Sequence, residues 1–166
     1  LRAAVEEANE LPGDDTITLP TPSSIFTLTA GDLAVDTTIT INGSSTLGNS
    51  VIESDGSDRV LYVSSGGDLR LNRIVVRGGE TAEDGGNIKA GSAAVTLASC
   101  EVHSGTSSSG YGGGIALANA TLTLVNTMVR ANEALRGGGI HADFNSSVFI
   151  RQNSRVSGNT ATGTGE

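Results

Sequence analysis

The 166-residue chain sets 10 basic against 18 acidic side chains, a formal charge of −8, and it holds one lysine, one cysteine, one methionine and no tryptophan. Nucleic acids and anionic membranes both need clustered Lys and Arg, so this balance excludes them as partners, and no apolar run approaches the roughly 18 residues of a membrane span. With 23 glycines and only five aromatic residues, the chain is poorly supplied for a thick core, whereas its short Val, Ile, Leu and Ala runs suit thin stacked layers.

In chain order, Leu1 to Glu10 comes first. Leu1, Ala4, Val5 and Ala8 fall at i, i+3, i+4 and i+7, the pattern of an amphipathic helix, with Glu6, Glu7 and Glu10 pointing away and Pro12-Gly13 as the stop. Strand-like runs follow at Thr16–Leu19, Ile25–Leu28, Thr38–Ile41, Val60–Val63, Leu69–Leu71 and Ile74–Val76. Ala30-Gly31-Asp32, Asn42-Gly43-Ser44 and Ser65-Gly66-Gly67-Asp68 punctuate them as turns.

Beyond this point the pattern becomes a repeat. Gly85-Gly86-Asn87-Ile88, Gly113-Gly114-Ile115 and Gly138-Gly139-Ile140 open three similar segments; 27 residues separate the first two isoleucines and 25 the next two. Val95 and Leu97 align with Leu122 and Leu124 and with Val148 and Ile150; Val102 aligns with Val129 and Val156. Three alternating runs in about 26 residues describe one coil of a solenoid, too short for crossover helices between parallel strands. The expected fold is therefore all-β: a three-sided parallel β-helix of about five to six coils, capped by the N-terminal helix. It forms one domain over 1–166, with the cap at 1–11, looser early coils at 16–76 and regular coils at 77–166.

Leu1-Arg2-Ala3-Ala4-Val5-Glu6-Glu7-Ala8-Asn9, followed by Asp15–Leu19 and Phe26-Thr27-Leu28, resembles the cap and first coil of bacterial right-handed β-helix surface proteins. The Gly-Gly-Ile segments, with Val129-Arg130-Ala131-Asn132 and Val156-Ser157-Gly158-Asn159, resemble polymorphic outer-membrane-protein repeats, which carry Gly-Gly-Ala-Ile and Phe-x-x-Asn. Val stands here for the Phe, and the coil ending at Gly105 lacks the Asn. The resemblance implies a right-handed helix, in line with the crossover rule, and a bacterial protein at the cell surface or outside the cell, structural or adhesive. Other proteins with this fold are polysaccharide lyases and glycosidases.

Alternation also assigns faces. Val76, Val102, Val129 and Val156 should stack inside, beside a second inward column of Ile74, Cys100, Thr127 and Ser154. Val75, Glu101, Met128 and Arg155 should face out, as should Arg77, His103, Arg130 and Ser157. Polysaccharide lyases need an Arg or Lys base and a charge neutraliser such as Ca²⁺, so Arg77, His103 and Arg130 beside Glu101 are the candidate catalytic residues. No group of acids completes a lyase or two-carboxylate glycosidase site, and a solvated face of alternating charge is the plainer reading. Glu53, Asp55 and Asp58 around Gly56 are the candidate Ca²⁺ ligands, although their spacing is that of no known calcium loop and a solvated turn is plainer; no other cofactor is indicated. The pair Glu83-Asp84 reads the same way.

Cys100 reads as a small buried thiol, and as the sole cysteine it has no intrachain disulfide partner. Asn132 with Asn159, and Asn126 with Asn153, each 27 apart, read as inward asparagine ladders. Function is expected to be structural or adhesive rather than enzymatic. A lyase or glycosidase acting on an acidic glycan is the alternative, and a simple glycan-binding module, with only Tyr62 and Tyr111 as platforms, is a third reading. The chain opens at Leu1 without Met, as a processed or excised piece would. Thr160–Glu166 runs out where another Gly-Gly-Gly-Ile would begin, so the last coil should meet either further chain or the capped end of a second molecule. The latter contact does not close and builds a filament.

Overall fold

The computed structural model describes residues 1–20, 24–44 and 49–163. Helix α1 (Arg2–Glu10), β1 (Asp14–Thr18) and β2 (Ile25–Leu28) make the first coil; β3 (Leu33–Val35), β4 (Thr38–Asn42) and β5 (Ser50–Ser54) make the second. The third holds β6 (Leu61–Val63), β7 (Asp68–Asn72), β8 (Ile74–Arg77) and β9 (Glu80–Thr81); the fourth β10 (Ile88–Gly91), β11 (Ala94–Ala98), β12 (Glu101–His103) and β13 (Thr106–Tyr111). The fifth holds β14 (Ile115–Ala118), β15 (Thr121–Val125), β16 (Met128–Arg130) and β17 (Glu133–Arg136); the sixth β18 (Ile140–Ala142), β19 (Ser147–Arg151), β20 (Arg155–Ser157) and β21 (Thr160–Ala161).

Equivalent strands pair in parallel into a β-solenoid. Face A is β1-β4-β7-β11-β15-β19, face B β2-β5-β8-β12-β16-β20 and face C β3-β6-β10-β14-β18. The three expected sides are there, and a short fourth ladder, β9-β13-β17-β21, lies between faces B and C. Its strands are short and carry no apolar alternation, β13 reading Thr-Ser-Ser-Ser-Gly-Tyr, which is why the sequence reads them as turn. Strands β3 and β5 also escape the sequence reading: β3 has three residues, and β5 buries Ser50 and Ser54.

The inward residues of each face form columns whose members are 0–4 % exposed through the middle coils, such as Ile41, Leu71, Leu97 and Leu124 on face A. Val76, Val102 and Val129 stack inside as expected, but Val156 is 40 % exposed and Ile150 53 %. Nothing packs on the far side of the sixth coil among the described residues. The terminal segment predicted to trail off contributes β21; its last three residues lie outside the described ones.

A residue of left-handed backbone turns many of the corners. Arg73, Ser99, Asn126 and Gln152 (φ 50–55°) lead from face A to face B, and Gly85, Gly112 and Gly137 (φ 58–75°) lead into face C. A β-carbon on Gly112 would stand 2.3 Å from the Ile115 carbonyl oxygen, so glycine is required there by space as well as by φ. The corner register pairs Asn126 with Gln152, not with Asn153, because Val125 faces Arg151. Asn126 is exposed and bonds Ser99 Oγ through Nδ2; it belongs to no inward ladder.

The helix takes the place that a first strand of face C would fill. Val5 and Ala8 are buried and Leu1 packs against the core, but Ala4 is exposed. The contact face is rotated toward Arg2 and Asn9, which bond to the loop before β3 and to β3 itself. Asn9 Nδ2 donates to Ala34 O (3.0 Å), and Asn9 Oδ1 accepts from Asp36 N–H (3.0 Å). A neighbouring parallel strand would make these same two bonds around Val35. One carboxamide therefore satisfies the edge that a longer strand would otherwise pair.

The asparagine ladder runs through the corner between face B and the fourth ladder. Asn132 Nδ2 donates to Asn159 Oδ1 (2.9 Å) and Val102 O (3.1 Å), while its Oδ1 accepts from Gly105 N–H (2.8 Å). The coil lacking an Asn at this corner is repaired from elsewhere. Asn87 reaches into the space that Gly105 leaves, donating to His103 O and Asn132 Oδ1 and accepting from Gly79 N–H. Asn132→Ala would leave the buried Gly105 N–H and one Asn87 Nδ2–H without their acceptor, at about 1–3 kcal/mol each. Chemical denaturation should show a loss of about 3 kcal/mol for Asn132→Ala but less than about 1 kcal/mol for Asn126→Gly.

Candidate functional site

The outward column on face B is continuous. Thr27, Glu53, Arg77, His103, Arg130 and Ser157 lie side by side in register. Arg77, His103 and Arg130 are thus brought together as expected, but the structure adds Glu53 to them. Arg77 Nε donates to Glu53 Oε2 (2.8 Å) with Nη2 2.7 Å from the same oxygen, and Arg130 Nε touches Glu101 Oε1. The Arg77 bond, joined by one from Thr27, holds the Glu53 carboxyl below its usual range. Burial, more than the flanking guanidinium charges, lowers His103, so the ring is neutral at pH 7. Each guanidinium of the column is therefore paired with a carboxylate, Arg77 with Glu53 within it and Arg130 with Glu101 of the neighbouring outward column.

The predicted acidic calcium loop does not form a cage. Glu53 sits on β5 and is committed to Arg77 and Thr27. Asp55 Oδ1 accepts from the Ser57 amide and hydroxyl, which lowers its pKa, and Asp58 Oδ1 accepts from Arg59 N–H. Among the described residues no three His, Cys, Asp or Glu side chains stand close enough to share a metal ion. Glu83 and Asp84 likewise serve protein partners: Glu83 pairs with Arg59 at 3.0 Å, and Asp84 Oδ1 accepts from Tyr111 N–H at 2.9 Å.

Sequence reasoning missed the outer surface of face C. Tyr62, Lys89, Ala116 and His141 form its outward column, one from each of β6, β10, β14 and β18. Two shallow depressions lie over this column and meet at Lys89. One, of about 180 Å³, is lined by Asp32, Arg59, Tyr62, Glu83 and Lys89. The other, of about 230 Å³, is lined by Asp84, Lys89, Ala116, Leu117, Ala118, His141 and Asp143. Arg59 is almost fully buried beneath the first. It donates to Asp84 O (2.8 Å) and Glu83 Oε2, and its Nε lies 3.1 Å from Asp32 Oδ2, close but off the hydrogen-bonding direction. Burial raises the Asp32 carboxyl despite that guanidinium. Tyr111 stacks on His141 with ring centroids 4.7 Å apart. The alternation Ile88-Lys89-Ala90 was visible, but Tyr111 arrives from the unrecognised strand β13.

No family model, curated protein or solved structure matches this chain. No helix among the described residues is long and apolar enough to cross a membrane, which leaves β-barrels unaddressed.

Cys100 is buried in the second inward column of face B. Its Sγ donates to Leu71 O and Ala98 O, as Thr127 Oγ1 does to Leu97 O and Val125 O one coil on. Burial pushes the thiol up to about 11. In the native protein at pH 8, iodoacetamide should alkylate Cys100 about a hundredfold more slowly than in the unfolded chain, whose thiol titrates two units lower. Because the native pKa is raised, stability should also fall as the pH climbs from about 9 through about 11.

Proposed function

We propose that the chain is a structural or adhesive β-solenoid of a bacterial cell surface or its surroundings, like the proteins its cap and coils resemble. The observation that carries this reading is the neutralised face B: Arg77 is closed by Glu53 and Arg130 by Glu101. A lyase base has to be free to take a proton from the substrate, and both guanidinium groups here already hold carboxylates. The chain carries a net charge of −8, while the interior repeats column by column, which suits a stiff, soluble rod.

Self-assembly is part of the proposal. The sixth coil presents Val148, Ile150 and Val156 with no strand beyond them among the described residues, and a capped end of a second copy would cover them. Electron microscopy and light scattering of the purified chain test this. Filaments with an axial repeat of roughly 25–30 Å, five to six coils at about 4.8 Å each, are expected, and Ile150→Asp should abolish them. A monodisperse monomer at every concentration would overturn self-assembly.

The alternative, a lyase acting on an acidic glycan, draws on His103, neutral at pH 7 and set between Arg77 and Arg130. Ultraviolet assay of polygalacturonate and alginate for unsaturated products separates the two. No turnover is expected; turnover lost in Arg130→Ala or His103→Ala would favour the enzyme.

A further inference from the structure

We infer that the outer surface of face C is a binding trough for a neutral oligosaccharide, laid along the solenoid axis across β6, β10, β14 and β18. This deepens the adhesive half of the proposed function by naming its ligand class and its residues.

The first argument is convergence. The chain has two tyrosines, two histidines and one lysine. Tyr62, the lysine and His141 share one outward column of this face, and Tyr111 reaches its edge from β13 by stacking on His141. Sugar recognition combines a flat aromatic surface for the C–H faces of a ring with polar groups for its hydroxyls. Tyr62 lies at one end and the Tyr111–His141 stack at the other. Between them the floor is made of small residues: Gly91, where a β-carbon would stand 3.8 Å from the Tyr62 hydroxyl, and Ala116, which faces outward yet is only 4 % exposed.

The second argument is the state of the charges. Lys89 Nζ is 3.9 Å from both Glu83 and Asp84, beyond hydrogen-bond reach. Its donors are held near two carboxylates but are not consumed by them, unlike the arginines of face B. Carboxylates flanking an ammonium offer acceptors and donors together, as vicinal hydroxyls require.

The third argument is charge balance. The depression at Tyr62 sets Asp32 and Glu83 against Arg59 and Lys89; the other sets Asp84 and Asp143 against Lys89. A polyanion gains nothing from such a surface and meets repulsion from Asp84 and Asp143. Each depression is smaller than the roughly 300 Å³ at which drug-sized pockets begin, so each suits one ring, and the two in line suit a short chain. The column from Tyr62 to His141 spans three strand spacings, about 14 Å.

The test is isothermal titration calorimetry of the full chain with cellohexaose, mannohexaose and chitohexaose, with polygalacturonate as the anionic control. At least one neutral hexasaccharide should bind with Kd below about 1 mM. Tyr62→Ala and Lys89→Ala, both at partly exposed positions, should each weaken it at least tenfold without lowering the melting temperature, while Arg77→Ala on face B should leave it unchanged. The same ligand should slow acetylation of Lys89 by an amine-reactive ester, read by peptide mass spectrometry, which needs no variant to fold. Absence of binding to all three neutral sugars, binding indifferent to both substitutions, or binding of polygalacturonate alone would overturn the inference. None of these outcomes bears on filament formation, so failure here is separable from failure of the structural reading.

Discussion

In-register parallel pairing of each coil on the next is the constraint from which everything else follows. Once Leu71 faces Leu97 and Leu97 faces Leu124, the inward or outward sense of every neighbouring residue is inherited, and a slip of one residue would turn the whole strand inside out. Coil length can therefore vary only where pairing is loose. The step from Ile88 to Ile115 is two residues longer than that from Ile115 to Ile140. The difference is taken up on the fourth ladder, where Ser107 faces Ala134 but Tyr111 faces Arg136. The main corners absorb the rest: the offset between the fifth and sixth coils is 25 on face C (Ile115 to Ile140), 26 on face A (Thr121 to Ser147) and 27 on face B (Met128 to Arg155).

The corners carry the polar part of the same constraint. A sharp turn leaves backbone groups without ladder partners, and buried ones must find others. Short polar side chains stacked in columns supply them: Thr127 Oγ1 accepts from Cys100 N–H, and Ser154 Oγ accepts from Thr127 N–H. Asn87 shows that the requirement belongs to the space rather than to the position in the repeat. Gly105 has no side chain, and an amide from a different corner occupies the gap. Asn9 does similar work at the end of the stack, where one side chain replaces two bonds of a missing strand.

This explains what could be read from the sequence. Columns of Val, Leu and Ile recur at nearly constant spacing, so the coils, the cap and the inward faces were legible, Val102 and Val129 among them. Strand β5 was not, because its buried Ser50 and Ser54 break the apolar alternation. Asn87 was not, because it lies 45 residues from the Asn132 that it bonds, outside the period of the repeat. Arg77, His103 and Arg130 were legible as one outward column of a charged face; the partnership of Glu53 with Arg77 was not, because Glu53 reads as part of an acidic loop rather than of β5. Tyr62 and Tyr111 were noticed singly; the strand registers align Tyr62 with Lys89 and His141, and Tyr111 joins them from β13 only through its ring contact with His141.

The two outer faces differ in a way that follows from the cations they carry. A guanidinium offers several donors in one plane and is readily taken up by a carboxylate: Arg77 turns Nε and Nη2 to one Glu53 oxygen, and Arg130 forms an ion pair with Glu101. An ammonium is a point charge on a flexible stem, and Lys89 rests between two carboxylates without bonding either. Face B is thus electrostatically finished, whereas face C keeps unspent donors and acceptors beside aromatic rings. The inner columns repeat because stacking demands it; the outer column Tyr62, Lys89, Ala116, His141 does not repeat, and stacking does not require its members. A solenoid fixes where such residues stand, one per coil along the axis, and leaves their identity free. A linear ligand lying across the strands would meet a different group at each coil, so a scaffold built from repetition can still read a specific sequence of contacts.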